Sequence, residues 1–245
     1  MKLKNRLVTL PGKLIRLLLR DKIFTQPGHG EYLRIIKRFN VVLGDNPVVV
    51  EVGSLDGMDS IQLSRHFGCN VHCFEPNPIQ TPVVRANIAS AGLQDRITLW
   101  PFAVNSKSGN FDFIYSGEKN PGASSLYNFS LAASALDHTL AHEQTMLRVE
   151  SIRLDEWMSD NCIARIDLLC MDCQGAELDV LKGLGKRLAN VQFVILEGQL
   201  VPLYDKAPTI WEIDVYLRSN GFQLVSNNLR NIPGIRFNNF FYQRI

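Results

Sequence analysis

From residue 47 onward, short apolar runs rich in β-branched residues alternate with stretches of helical periodicity. Val48-Val49-Val50-Glu51-Val52 reads as a buried strand closing at Gly53, and Met58 to Phe67 follows as a helix. Val71-His72-Cys73-Phe74 is a second short apolar run, ended by Glu75-Pro76-Asn77-Pro78. Thr81 then offers an N-cap with Pro82 at the first helical position, and Gly92 supplies a stop after Ala91. Strand, helix, strand, helix predicts parallel βαβ units.

The alternation continues with Arg96 to Phe102 as a strand, then a hairpin in which Ser108-Gly109 turns into Phe111-Asp112-Phe113-Ile114-Tyr115. The segment from Ser116 to Met146 is long and weakly patterned, the mark of a lid or substrate loop in a compact domain. Ile166 to Met171 and Gln192 to Leu196 are two further buried strands, linked by a helix from about Ala176 to Leu184. Thr209-Ile210-Trp211-Glu212 is a capping box opening a helix that runs to Asn220 and stops at Gly221. Phe222 to Val225 and Phe237 to Tyr242 have no helix between them, so they pair antiparallel, because a parallel return needs a dozen or more connecting residues. The expected fold is α/β: a doubly wound, mostly parallel, Rossmann-like sheet with an antiparallel C-terminal hairpin. The sheet domain spans residues 46–245, behind an N-terminal helical extension over 1–45.

Composition narrows the class without changing this picture. The 245 residues are 46% hydrophobic and 20% charged, which suits one globular domain and excludes collagen-like, coiled-coil and disordered chains. Twenty-six Lys and Arg against 24 Asp and Glu leave a formal charge of +2, too small an excess to imply nucleic-acid binding. The five cysteines are an odd number scattered through apolar stretches and read as reduced thiols, so a cytoplasmic protein is expected. No run reaches the ~18 apolar residues of a membrane span. Residues 1–20 hold Lys2, Lys4, Arg6, Lys13, Arg16 and Arg20 and no acid. They form a basic amphipathic stretch that either packs on the domain or makes weak peripheral contact with an anionic membrane face.

The chemistry gathers at strand ends. Glu51-Val52-Gly53-Ser54-Leu55-Asp56-Gly57 sits where the first strand turns into its helix, and ligands of doubly wound sheets bind beyond such carboxyl ends. Its G-x-x-x-G spacing lacks the middle glycine of a dinucleotide fingerprint, and its acids disfavour a pyrophosphate. Glu75 lies 22 residues past Gly53, close to the ~20-residue offset at which an acid receives ribose hydroxyls. An acidic loop with a ribose-binding acid describes a nucleoside with a cationic centre and no diphosphate, which is S-adenosylmethionine.

Taken with Met171-Asp172-Cys173-Gln174-Gly175-Ala176-Glu177, Leu181 and Gly183, these residues make the chain resemble the FkbM-type S-adenosylmethionine-dependent methyltransferases of the class I fold. Phe102-Ala103-Val104 with Gly109, the loop Gly122-Ala123-Ser124-Ser125-Leu126 and Arg153-Leu154-Asp155 extend the resemblance over roughly residues 47–225. Gln174 stands where many members have Glu, and Ser54-Leu55-Asp56 where Ala-Asn-apolar is more usual.

The resemblance implies methyl transfer to a hydroxyl of a carbohydrate, glycoconjugate or polyketide-like metabolite. The cofactor is assigned to Glu51, Gly53, Ser54, Asp56, Gly57, Glu75, Pro76, Phe102, Ala103 and Asp172. Asp172 and Glu197 are the candidates for handling the acceptor's proton. Glu177 serves either in that chemistry or in complementing the dipole of its helix. Asp172, Glu177 and Glu197 together also offer donors to a divalent cation, though no metal is assigned. His138-x-x-x-His142 places two imidazoles on one helix face without a third zinc ligand, and Cys170-x-x-Cys173 has no second pair. The rival readings are a nucleotide-dependent oxidoreductase and a binding module that retains the fold without catalysis.

Overall fold

The computed structural model describes residues 30–130, 144–226 and 237–245. Residues 1–20, with their expected basic helix, and the His138/His142 pair lie outside the described residues.

A seven-stranded sheet forms the centre. Its strands are β1 (Val48–Val52), β2 (Asn70–Phe74), β3 (Ile97–Trp100), β7 (Ile166–Met171), β8 (Val191–Gln199), β9 (Phe222–Ser226) and β10 (Phe237–Arg244), in the spatial order β3-β2-β1-β7-β8-β10-β9. The five strands from β3 to β8 are parallel. β10 runs antiparallel to both β8 and β9, so the C-terminal pair is the expected hairpin, with its second strand inserted next to β8. The chain winds outward from β1 to β3, then returns to the other side of β1 at β7. That reversal opens a crevice at the carboxyl ends of β1 and β7.

The period-2 alternation of strands sends neighbouring residues to opposite faces. Val50, Val52, Leu169, Met171, Val194 and Leu196 face α4 (Leu154–Asp160), α5 (Glu177–Gly183) and α6 (Ile210–Ser219). Val49, Val71, Leu168, Cys170 and Ile195 face α1 (Glu31–Arg38), α2 (Met58–Phe67) and α3 (Thr81–Ala91). All six residues of β7 are buried, as a strand covered on both faces requires. α1 falls within the stretch read as an extension, yet Tyr32, Ile35 and Ile36 are built into the second of these cores.

Helix ends follow the sequence closely. Gly92 closes α3 in the left-handed region at φ 68°, and Thr209 with Glu212 forms the capping box of α6. α3 starts one residue early: Thr81 is already helical, Gln80 is the cap and Pro82 the second position.

The region after β3 departs from expectation. The strand read through Phe102 ends at Trp100, and β4 (Ala103–Val104) leaves for a second sheet. β5 (Gly109–Tyr115) does not pair back on the preceding strand; its partner is β6 (Thr145–Ile152), antiparallel from Gly109↔Ser151 to Tyr115↔Thr145, in a sheet ordered β4-β6-β5. With two residues, β4 offers too short a ladder for β5, whereas β6 matches all seven of its residues. Local spacing carries no sign of a partner thirty residues away.

Candidate active site

The crevice between β1 and β7 opens into a cleft of about 1160 Å³, the open solvent at its mouth included. Glu51, Gly53, Ser54, Asp56, Glu75, Pro76, Phe102, Ala103, Asp172 and Glu197 all line it. Gly57 stands just behind, capping α2 in the left-handed region.

The two loop glycines serve chain-to-chain approach more than approach to a ligand. A Cβ on Gly53 would overlap the carbonyl of Asp172, and one on Gly57 would meet Val84 Cγ1 at 2.9 Å. The turn between them is fastened by Gly57 N–H donating to Ser54 C=O at 2.7 Å, with Leu55 held at φ 53°.

Glu75 ends β2 as a prepared acceptor. Its Oε2 accepts the Leu55 N–H at 2.8 Å and its Oε1 the Asn77 N–H at 2.9 Å, which orients the carboxylate and leaves each oxygen further acceptor capacity. Burial pushes it up to about 7, against the lowering effect of those two N–H groups. Glu51 is pushed well above the carboxylate range, by burial first and then by Asp59, although Ser60 Oγ donates to it. Ser54 Oγ is buried on the cleft wall without a hydrogen-bond partner, a spare group available to a ligand. Asp56 is partly occupied, its Oδ1 accepting Met58 N–H at 3.1 Å at the start of α2.

Across the switch point lie the other acids. Asp172 follows β7 directly, its N–H donating to Val52 C=O at 3.0 Å, and Glu197 sits on β8. The Gln174 amide bridges them, Nε2 donating to Asp172 Oδ1 at 2.5 Å and to Glu197 Oε1 at 3.2 Å. Both carboxyls are pushed up, Asp172 by burial foremost and Glu197 by burial and then by Asp172. Glu177 turns away from this pair: its carboxylate accepts N–H groups of Cys173 at 2.9 Å and Gly175 at 3.1 Å. Of its two readings, the structure favours the structural one, as the brace of the loop that presents Asp172 and Gln174. Among the described residues, no group of three His, Cys, Asp or Glu side chains could hold a metal ion.

Four cleft residues escape sequence reasoning. Tyr32 comes from α1, Phe113 from the second sheet, Phe237 from the start of β10, and Asp59 from the first turn of α2. Asp59 alone carried a local signal, as a third acid beside the Gly53 loop; its Oδ1 accepts Gly30 N–H at 2.6 Å and ties α1 to α2. The loop expected to act as a lid contributes Asn120 to Gly122, Ser124 and Leu126 as a wall.

The Methyltransferase FkbM domain matches residues 51–224 of the chain. The 2-O-methyltransferase NoeI of Sinorhizobium fredii is 30% identical over 195 residues, covering 77% of each chain. The 31-O-demethyl-FK506 methyltransferase FkbM of Streptomyces tacrolimicus is 26% identical over 211 residues and 79% of each. Among solved structures, an rRNA methylase from Streptococcus thermophilus superposes with a TM-score of 0.51 at 12% identity, over 91% of this chain and 99% of that one. M. capricolum TrmK bound to S-adenosyl-homocysteine does so at 0.51 and 9%, over 87% and 68%, a likeness of fold alone. The matched span opens at Glu51 on the wall of the cleft and runs to Leu224 on the edge hairpin, taking in both halves of the crevice, and on that basis the chain belongs to the FkbM family of S-adenosylmethionine-dependent methyltransferases.

Proposed function

We propose that the protein methylates a hydroxyl group of a carbohydrate, glycoconjugate or polyketide-like small molecule. The observation that carries this reading is one cleft holding both a braced acceptor carboxylate at the end of β2, Glu75, and a bridged acid pair at the ends of β7 and β8, Asp172 and Glu197. The relatives supply the acceptor class: a 2-O-methyltransferase, a 31-O-demethyl-FK506 methyltransferase and, at 28% identity over 62% of this chain, a hexuronic acid methyltransferase of Haloferax volcanii.

The residues fit the cofactor. Glu75 retains acceptor capacity for two ribose hydroxyls, Ser54 Oγ is unpartnered, and the surrounding acids suit a cation. S-adenosylmethionine supplies an electrophilic methyl on a positively charged sulfur, which leaves as a neutral thioether. The chain's part is to place the acceptor oxygen in line, exclude water and take up the hydroxyl proton. Asp172 after β7 or Glu197 on β8, both half-buried, accepts that proton. The wall from Asn120 to Leu126, with Phe113 and Phe237, encloses the acceptor. Among the described residues no helix is long and apolar enough to cross a membrane.

The test is calorimetric titration with S-adenosylhomocysteine, with NAD as control, followed by a screen of hydroxylated acceptors with labelled S-adenosylmethionine. Binding of S-adenosylhomocysteine at about 1–100 μM and label in a sugar or polyketide hydroxyl are the expected results. Binding of NAD instead, or label only in nucleic acid, would overturn the reading.

A further inference from the structure

A chain of hydrogen bonds leads from the acid pair to the wall of the cleft. The Gln174 amide nitrogen faces Asp172 and Glu197, and the Tyr204 hydroxyl donates to Gln174 Oε1 at 2.8 Å. The same hydroxyl lies 2.9 Å from the carbonyl oxygen of Ala123. A phenol carries one proton, and both neighbours are acceptors, so Tyr204 satisfies one of them at a time.

The surroundings hold these groups in place while leaving two rotations free. Gln174 adopts φ 52°, and its carbonyl accepts the Ser125 hydroxyl at 2.7 Å. Tyr204 is 1% exposed and stacks on Phe129 with ring centroids 5.0 Å apart. What can change is the sense of the Gln174 amide and the direction of the Tyr204 O–H.

We propose that Gln174 and Tyr204 are positioning residues that tie the proton on the Asp172–Glu197 pair to the loop forming the acceptor wall. With Asp172 ionised, the amide nitrogen faces the acids and the Tyr204 hydroxyl turns to Gln174. With a proton on Asp172, and with Glu197 carrying its own proton as burial and Asp172 favour, the carboxyl O–H groups of both donate to Gln174 Oε1, the reversed amide donates to Tyr204 Oη, and the Tyr204 O–H donates to Ala123 C=O. The proton gained by Asp172 is the only one transferred; every other change is a rotation. Ala123 lies in the 3-10 turn Pro121–Ala123, beside the cleft residues Gly122 and Ser124. Arrival of the proton therefore adds a hydrogen bond to the wall, and its departure removes one. The catalytic meaning rests on Asp172 receiving the acceptor's proton, whereas the linkage itself exists without any acceptor.

Burial and the neighbouring acids push the pair toward the protonated form, and the Gln174 amide opposes them by favouring ionisation. Asp59 at the start of α2 and Glu31 on α1 disfavour ionisation of Asp172, and Glu31 and Glu177 disfavour that of Glu197. Asp172 in turn faces Tyr32 and Tyr204, whose phenols are raised and stay protonated.

The test is amide hydrogen exchange at Ala123, Ser124 and Ser125 across pH 5.5 to 9, corrected for intrinsic rates, in the full chain. Carbon-13 titration of the aspartate carboxyls locates the Asp172 midpoint, its signal assigned by its loss in Asp172→Asn. Protection in the wild type is expected to fall roughly 2- to 12-fold as pH rises through that midpoint, the worth of one hydrogen bond. Tyr204→Phe, which keeps the stack on Phe129, is expected to abolish that dependence, and Asp172→Asn to hold the protected level at every pH. Protection that ignores the midpoint in the wild type, or follows it unchanged in Tyr204→Phe, would overturn the proposal. Binding of S-adenosylhomocysteine by the same samples judges the methyltransferase reading separately.

Discussion

Gly53 and Asp172 meet backbone to backbone at the carboxyl edge of the sheet, so closely that a Cβ on Gly53 would overlap the Asp172 carbonyl oxygen. Gly53 also has φ 84°, where a side chain is strained. Gly53→Ala should therefore destabilise the protein by about 3 kcal/mol, from the left-handed backbone and the overlap together. Urea unfolding monitored by circular dichroism measures this, and wild-type stability would mean that the edge has slack.

Glu75 is braced by two backbone N–H groups and has acceptor capacity left for a ribose. Replacing it with Ala should weaken S-adenosylhomocysteine by about 1.5–3 kcal/mol, the worth of hydrogen bonds to a charged group, or roughly 10- to 150-fold in Kd. Calorimetry at pH 8, where a carboxyl held at about 7 is mostly ionised, gives the largest contrast. The folded state should persist; equal affinity would remove Glu75 from the ribose.

Stability should depend on pH in an unusual sense for carboxylates. Glu75 and Glu177 are held at about 7 by burial, against 4.5 for exposed glutamate. Between those values the native state keeps protons that the unfolded chain has released. Their contribution to stability is thus full below about pH 4.5 and is lost as pH rises through about 7. Melting temperature of the ligand-free protein should decline from pH 5 to 7.5. Glu177→Gln, which retains an acceptor for the Cys173 and Gly175 N–H groups, should reduce the accompanying fall in unfolding free energy, read by urea titration at each pH, by up to about 1.4 kcal/mol per pH unit. A flat profile in the wild type would contradict the assignment.

Asp172→Asn should separate chemistry from binding. With an acceptor from the hydroxyl screen, kcat is expected to fall by about 10²–10⁴, the usual worth of a general base, and the loss of S-adenosylhomocysteine affinity, Asp172 being assigned to the cofactor as well, is expected to be the smaller of the two. A matching loss in Glu197→Gln instead would place the proton acceptor on β8.

Much of this molecule is written locally. Val48–Val52, Ile166–Met171 and the capping box at Thr209 declare themselves through β-branched runs and caps, and Glu75 through its offset from Gly53, because each signal lies within a few residues or one βαβ unit. The sequence alone thus determined the doubly wound sheet, the acids at its strand ends and the cofactor class. Tertiary structure decided the rest. β5 found its partner in β6, some thirty residues further along the chain, since the two-residue β4 offers too little ladder. Tyr32, Phe113 and Phe237 entered the cleft from three distant elements, and Glu177 became a brace once its carboxylate met backbone N–H groups. These outcomes depend on which surfaces are buried against each other and which polar groups must then be satisfied, and no local spacing encodes either.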